Sequence, residues 1–306
     1  MMGAMLRHGF GPPVVWLAVV AVLSAGGCQN GRATPSGLAT VERTIVLHEP
    51  TALVAEPSGG LLVAEQRLGR VRRIFPDGVL DTEPVATVDV VHDGRRGLLG
   101  LAEDGAGDIY AAWTRAPDGR LVVGRVGPGD QRLVWVGPES AVAGGSLVLR
   151  DDRLIVAVGG RQASDGKLLS LDPAGPPDQR PEVVGSGWND PVAMTVLRSG
   201  EIWVADRASG RGPERLGRGD GATAGRTGDL PGRRRPAALV ELADGRLAVC
   251  GSLTDDLQVV EPRKGGRDVE VGPVIVDRCR TSAVVLGHRL LAVATDVAVL
   301  VVSLPR

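Results

Sequence analysis

The chain has 306 residues, of which 43% are hydrophobic, and its formal net charge at pH 7 is −1. This near-neutral balance argues against the strongly basic surface that is typical of nucleic-acid-binding proteins. A chain of this length can bury roughly 75% of the surface that its unfolded form exposes, so a full hydrophobic core is expected.

The first segment predicts an export signal with a lipidation site. Arg7 supplies a basic start, and the apolar run PVVWLAVVAVLSAGG follows at 13–27. This run has the length of the apolar region of a signal peptide and is short for a membrane span. Small residues directly precede Cys28, as in a bacterial lipobox, so we predict a lipoprotein signal peptide over residues 1–27 and lipidation of Cys28. The alternative is ordinary secretion with a chance cysteine.

The next segment, residues 28–40, is polar and contains glycine and proline, which is typical of a flexible tether. We predict that this tether joins the lipid to one folded domain over residues 41–306. The expected location is the outer face of the bacterial cytoplasmic membrane, or the periplasm, as a lipoprotein.

A turn followed by a short apolar run recurs six times along the rest of the chain. The apolar runs begin at intervals of 43 to 48 residues, at Leu61, Ile109, Leu154, Ile202, Leu247 and Leu290. A second apolar stretch precedes each run and a third follows most of them, with glycine and aspartate in the turns. These features predict short strands rather than helices.

A repeat of this length with three or four strands predicts an all-β fold, a six-bladed β-propeller with four-stranded antiparallel blades around a central channel. Closure of the ring is expected from a blade that both termini share, with RTIVLH at 43–48 pairing with VLVVSL at 299–304. A β-sandwich is the alternative, but six evenly spaced copies argue against it. The Gly/Arg-rich segment 207–236 is expected to be a long loop over one face.

Several motifs resemble the glucose/sorbosone dehydrogenase family, the soluble quinoprotein glucose and aldose sugar dehydrogenases. LLVAEQRLGRVRRI at 61–74 resembles the first-blade motif of the family, and GLLGLA followed by IYAAWT is similar to the second. GGSLVLRDDRLIVAVGG, NDPVAM and DRCRTSAVV follow in the family's order. The resemblance implies pyrroloquinoline quinone (PQQ) and calcium at the channel mouth. It also implies a histidine base, arginines that hold the quinone, and oxidation of the anomeric carbon of sugars.

The chain departs from the family at the positions that carry this chemistry. Val142 occupies the place of the family's base, and an aliphatic side chain cannot accept a proton. Gly160 stands where the family has an acidic residue. The family's Arg-Asn-Pro is Trp188, Asn189 and Asp190 here, and tryptophan lacks the bidentate fork of arginine.

The remaining site residues are assigned from the resemblance and from their charge. Asp206 and Glu214 are the candidate calcium ligands, although calcium takes six to eight oxygen ligands. A basic channel mouth would favour an anionic ligand. The candidate cofactor-binding residues are Arg278, Arg280, Arg95, Arg96, Trp188 and Asn189.

Cys250 and Cys279 are the two cysteines that remain once Cys28 is assigned to lipidation. The predicted propeller places them at neighbouring strand ends on one face, so a disulfide is possible in an oxidising compartment. Free thiols at separate sites are the alternative.

These patterns favour a lipid-anchored binding or assembly module with a degenerate active site. Its expected partners are the membrane, through the lipid, and a small anionic or sugar-like ligand at the channel mouth, with no nucleic acid. An active quinoprotein sugar dehydrogenase, using PQQ and calcium with a different base, is the second hypothesis. The third is a propeller hydrolase of the lactonase type, which would need a metal held by several acidic and amide side chains.

Overall fold

The computed structural model describes residues 38–139, 144–160, 165–208, 210–222, 227–262 and 269–305. The described residues form six sheets, and each sheet contains the four antiparallel strands of one blade. No helix in these ranges is long and apolar enough to cross a membrane. The predicted six-bladed propeller is confirmed. The signal segment, Cys28 and Val142 lie outside the described residues.

The first three blades follow one another along the chain, each from its innermost to its outermost strand. Blade 1 contains β2 (Pro50–Ala55), β3 (Leu61–Glu65), β4 (Arg70–Ile74) and β5 (Ala86–Thr87). Blade 2 contains β6 (Leu98–Glu103), β7 (Ile109–Thr114), β8 (Arg120–Gly127) and β9 (Asp130–Glu139). Blade 3 contains β10 (Leu147–Arg150), β11 (Arg153–Val158), β12 (Gly166–Leu171) and β13 (Glu182–Trp188).

Blades 4 to 6 complete the ring. Blade 4 contains β14 (Asp190–Val196), β15 (Ile202–Arg207), β16 (Glu214–Arg218) and β18 (Thr227–Leu230), and the short β17 (Gly221–Ala222) pairs with β13 of blade 3. Blade 5 contains β19 (Pro236–Glu241), β20 (Leu247–Gly251), β21 (Asp256–Pro262) and β22 (Val269–Val276). Blade 6 contains β23 (Ser282–Val285), β24 (Leu290–Ala294), β25 (Ala298–Ser303) and, from the other end of the chain, β1 (Thr40–Val46).

The ring closes as the sequence predicts, because β1 is the outermost strand of the last blade. It pairs antiparallel with β25, from Thr40 opposite Ser303 to Val46 opposite Ala298. The second strand of each blade begins at or within one residue of the six predicted positions. These second strands are rich in β-branched and aliphatic residues, and β3, β7 and β20 are buried along their whole length.

The core lies between the blades, since each of its six apolar clusters combines side chains from two neighbouring blades. Between blades 1 and 2, for example, Leu62 packs with Trp113, and both are almost completely buried. A single blade could not cover these faces alone, so the closed ring is what makes each blade stable.

The two ends of the channel differ in which residues they present. Every blade begins with its innermost strand, so the residues that begin these six strands share one face, here called the entry face. The residues that end them share the opposite exit face. A contact between the neighbouring blades 6 and 1 agrees with this arrangement, since Thr281 before β23 hydrogen-bonds the carbonyl oxygen of Pro50 at the start of β2.

Two glycines of the stretch RRGLLGLA allow close approach between blades. Gly97 has a φ of +137°, and a Cβ there would overlap the backbone oxygen of Gln66. At Gly100, a Cβ would collide with the carbonyl oxygen of Gly145, which lies just before the innermost strand of blade 3. Glycine is therefore needed at position 100 so that blades 2 and 3 can meet at the channel.

Gly100→Ala is expected to lower the free energy of unfolding by about 1–3 kcal/mol, because the added methyl group overpacks a backbone contact. Chemical denaturation of the full-length protein measures this change. The matched control is Gly105→Ala, since a Cβ at Gly105 meets nothing within 4 Å. Equal stability of the two variants would contradict the close-packing role of Gly100.

The structure joins Cys250 of β20 to Cys279, which precedes β23, in a disulfide across 29 residues. Both cysteines are fully buried within the apolar cluster between blades 5 and 6. The disulfide therefore ties the fifth blade to the blade that closes the ring.

The segment 207–236 differs from the expected loop. Glu214–Arg218 and Thr227–Leu230 form the third and fourth strands of blade 4, and they pair from Glu214 opposite Leu230 to Gly217 opposite Thr227. The expectation of one long loop is wrong, because the Gly/Arg-rich composition hid two strands that carry few large apolar residues.

Candidate functional site

The entry face carries an ion pair between Arg95 and Asp190. Arg95 precedes the innermost strand of blade 2, and its guanidinium donates to Oδ2 of Asp190, the first residue of blade 4. These two blades are not neighbours in the ring, so the pair crosses part of the channel mouth.

Asp190 is held in an environment that penalises its charge. The residue is 8% exposed, and burial raises the pKa of its carboxyl although Arg95, Arg207 and Arg235 each favour the ionised form. Its second oxygen, Oδ1, is buried and has no hydrogen-bond partner among the described residues. One carboxylate thus faces three guanidinium groups, of which only Arg95 donates a hydrogen bond to it.

Arg207 and Arg235 extend this positive charge towards blade 5. The Nε of Arg207 donates to the backbone oxygen of Pro236 at 3.0 Å, and burial lowers the pKa of the Arg207 guanidinium to about 10. It therefore remains a cation at neutral pH. Arg235 is exposed directly before β19. We call Arg95, Arg207 and Arg235 the entry arginines.

The carboxylate of Asp206 holds the backbone of the entry face in place through hydrogen bonds. Its Oδ1 accepts hydrogen bonds from the backbone nitrogens of Asn189 at 3.0 Å and Asp190 at 2.7 Å, and its Oδ2 accepts from Nε of Arg215 at 3.0 Å. Asp206 is completely buried, and burial raises the pKa of its carboxyl against the opposing effect of these donors.

Glu214 has a similar structural role. Its two carboxylate oxygens accept hydrogen bonds from the backbone nitrogens of Arg235 and Arg234, each at 2.8 Å. This arrangement holds the chain in place just before blade 5 and so positions Arg235.

The two candidate calcium ligands therefore do not fit a calcium ion well. Their oxygens already accept hydrogen bonds from amides and from Arg215, and calcium requires six to eight oxygen ligands. Within the described ranges, no three His, Cys, Asp or Glu side chains are grouped so that they could hold a metal ion. The assignment of calcium to Asp206 and Glu214 stays a prediction that this geometry does not favour.

The indole of Trp188 packs in the core, and the backbone of Asn189 connects two blades. Trp188 is completely buried between blades 3 and 4, with the guanidinium of Arg215 5.7 Å from the centre of its ring. The backbone oxygen of Asn189 accepts a hydrogen bond from Gly160 at 2.9 Å, which links blades 3 and 4. The structure places the indole in the core, where it has no exposed face for a ligand.

The other predicted arginines are spread over the entry face. Arg96 forms an ion pair with Asp93, and Arg280 pairs with Asp296 at 3.1 Å. Arg278 is exposed and has no ion-pair or hydrogen-bond partner among the described residues. Only Arg95, of the four predicted arginines, joins the cluster around Asp190.

One imidazole belongs to the segment that leads to Arg95. Nε2 of His92, three residues before Arg95, is 3.2 Å from Oε2 of Glu49, which precedes β2. Glu49 has a φ of +48°, a conformation that is uncommon outside glycine. Oε2 of Glu49 is shielded from solvent and makes no hydrogen bond within the described ranges, so the contact with the imidazole is one at ion-pair distance.

Asp190, Arg207 and Arg235 were not predicted as site residues. Asp190 is the first residue of an innermost strand, and Arg207 is the last residue of a second strand. Arg235 directly precedes blade 5. The register of the repeat places all three positions on the entry face, so this register is the signal that could have identified them.

Comparison with known proteins supports the fold. No protein-family model matches the sequence, and no curated protein is significantly similar to it. Among solved structures, the PQQ-bound aldose sugar dehydrogenase of Streptomyces coelicolor is 20% identical, with a TM-score of 0.69, over 88% of this chain and 98% of its own. The apo-form soluble aldose sugar dehydrogenase of Escherichia coli is 19% identical, with a TM-score of 0.71, over 89% and 100%.

A third similar structure is the holo form of the PQQ domain of pyranose dehydrogenase from Coprinopsis cinerea. It is 14% identical, with a TM-score of 0.60, over 88% of this chain and 98% of its own. At these identities the similarity concerns the architecture, and it agrees with the motif order along the chain. The chain therefore has the β-propeller fold of these sugar dehydrogenases.

Proposed function

We propose that this protein is an exported, lipid-anchored binding module that takes a small anion at the entry face. The ligand class is a molecule with carboxylate or phosphate groups. The observation that supports this proposal is the excess of positive charge around Asp190, where three guanidinium groups converge on one buried carboxylate.

The charge and geometry of the entry arginines suit such a ligand. Guanidinium groups bind carboxylates and phosphates through two parallel hydrogen bonds, and partial burial strengthens such contacts. Burial of the cation Arg207 is costly, and an anion beside it would offset part of that cost. Arg278, exposed on the same face, adds to the positive potential that would attract the ligand.

Export and anchoring form part of the same proposal. They rest on the apolar run 13–27 and on Cys28 directly after it. Mass spectrometry that finds an unmodified Cys28 in the membrane fraction would contradict the lipid anchor.

We expect citrate and inorganic phosphate to bind the full-length protein, and isothermal titration in nonionic detergent measures this. Arg95→Gln and Arg235→Gln should each weaken citrate binding by about tenfold, since each variant removes a charged hydrogen-bond donor. The affinity should fall as salt is raised, because the site is partly exposed.

The matched control is Arg43→Gln, which removes a positive charge from the outermost strand of blade 6. This variant should bind citrate as the unmodified protein does. Unchanged citrate affinity in both entry-arginine variants, or an equal loss in the control, would contradict the proposal.

The pair of His92 and Glu49 favours the second hypothesis, a quinoprotein dehydrogenase with a different base. An imidazole supported by a carboxylate is a group that can accept a proton from a sugar hydroxyl. The hypothesis of a metal-dependent hydrolase finds no corresponding support, because the described residues contain no suitable group of metal ligands.

A further inference from the structure

The central channel contains a cavity of about 560 Å³ that the entry arginines do not line. Ligand pockets are typically 300–1,000 Å³, so the cavity can hold a small organic molecule. Its wall is formed by all six innermost strands, from Thr51, Ser146 and Ser282 near the entry face to Glu103, Arg198 and Glu241 at the exit face.

The bore between these ends is uncharged. Every innermost strand is the edge of its sheet, so unpaired backbone groups face the channel together with aliphatic and small side chains. Among the described residues, the charged ones that line the cavity, namely Glu103, Arg198 and Glu241, lie at the exit face.

Two of these three charged residues already have partners. The guanidinium of Arg198 donates to the backbone oxygens of Ala243 at 3.1 Å and Leu242 at 2.6 Å. The carboxylate of Glu241 accepts a hydrogen bond from the backbone nitrogen of Arg198 at 2.8 Å. Neither residue therefore needs a ligand.

Glu103 differs from both. Its Oε2 is shielded from solvent and has no hydrogen-bond partner among the described residues. The neighbouring charges are committed elsewhere, because Arg73 pairs with Glu56 at 2.8 Å and Asp104 accepts hydrogen bonds from the amides of its own turn. Burial raises the pKa of Glu103, and the nearby carboxylates of Glu56 and Asp104 add to this effect while Arg73 opposes it.

We propose that the channel is a second binding site, entered at the exit face, for a small primary ammonium with a compact uncharged body. The ammonium would donate to the carboxylate of Glu103, a half-buried residue of the cavity wall with no ion-pair partner among the described residues, and the body would lie in the uncharged bore. An unpaired carboxylate at the end of an uncharged bore favours a cationic donor, because hydrogen bonds between charged groups are stronger than those between neutral groups. This site is separate from the entry arginines and does not depend on the function proposed for them.

Titration calorimetry with cyclohexylammonium and hexylammonium, on the full-length protein at pH 7, tests the proposal. We expect Glu103→Gln to weaken binding of both probes by about tenfold to hundredfold, because a charged hydrogen bond is lost. Hexanoate, which has a similar body and the opposite charge, should bind the unmodified protein more weakly than hexylammonium does.

Two further variants keep the result interpretable. Glu83→Gln removes the same charge from an exposed position outside the cavity and should leave the affinity unchanged. Ala55→Leu adds bulk to the cavity wall near the exit face and should weaken both probes. Absence of ammonium binding at millimolar concentration, equal affinities in Glu103→Gln and Glu83→Gln, or stronger binding of hexanoate would each overturn the proposal.

Discussion

Replacing Asp206 with alanine is expected to lower the free energy of unfolding by about 3–5 kcal/mol, because it breaks a buried charge network from one side. The carboxylate is completely buried and accepts hydrogen bonds from two backbone nitrogens and from Arg215. Its removal would leave a largely buried guanidinium and two amides without their acceptor. Chemical denaturation of the full-length protein, followed by tryptophan fluorescence, measures the change.

The comparison variant is Asp130→Ala, which removes an aspartate from an arginine pair at the surface. Asp130 pairs with Arg125, and the side chain of Asp130 is 60% exposed. Exposed ion pairs contribute about 0–1 kcal/mol, so this variant should be nearly as stable as the unmodified protein. If Asp206→Ala and Asp130→Ala were equally stable, the structural role assigned to Asp206 would be wrong.

The effect of added calcium on stability separates two roles for Asp206. A calcium ligand would make the stability of the unmodified protein depend on added calcium, because a metal that binds only the folded state stabilises it. The hydrogen-bond network requires no such dependence. Calcium should therefore leave the unfolding midpoint unchanged, which follows from the donors that already surround both oxygens of Asp206.

The architecture could be predicted from the sequence because it follows from a local pattern of turns and apolar runs. Turn residues and short apolar runs fix where the second strands begin, as at Leu61 and Ile202, and six copies fix the number of blades. Ring closure could also be predicted, since RTIVLH at 43–48 and VLVVSL at 299–304 stand at the two ends of the predicted propeller. The third and fourth strands of blade 4 were missed because they contain too few large apolar residues to be distinguished from a loop.

The site was predicted less completely, because its contacts join positions that are distant in sequence. Arg95 and Asp190 are 95 residues apart and belong to blades that are not neighbours. Their pairing depends on the three-dimensional path of both loops, which no local pattern specifies. Whether Trp188 is exposed could not be predicted from the sequence either, because a tryptophan before an innermost strand can point to the channel mouth or into the core.

The lack of a partner for Glu103 could not be predicted from the sequence for a different reason. Its place at the end of β6 follows from the repeat, and so does its position on the exit face. Whether a carboxylate there finds a partner depends on the reach of Arg73, which the structure shows paired with Glu56. The absence of a partner among the described residues is therefore a property of the packed molecule rather than of the sequence pattern.

The largest functional effect expected is the lack of sugar oxidation. A positioned base contributes about 10²–10⁴-fold to a proton transfer, and the sequence motifs predict Val142 at the place of the family's base. The acidic residues assigned to calcium accept hydrogen bonds from the protein itself. With PQQ, calcium and an electron-acceptor dye, the full-length protein should therefore reduce no dye above the blank on a panel of aldoses.

This assay tests the central claim most directly, because it separates an anion-binding entry face from one that abstracts protons. A soluble aldose sugar dehydrogenase, assayed in parallel, confirms that the reagents work. The account predicts no turnover by the unmodified protein, together with citrate binding that is lost in Arg95→Gln. Aldose-dependent dye reduction that disappears in His92→Asn would contradict it and would identify the imidazole beside Glu49 as the base.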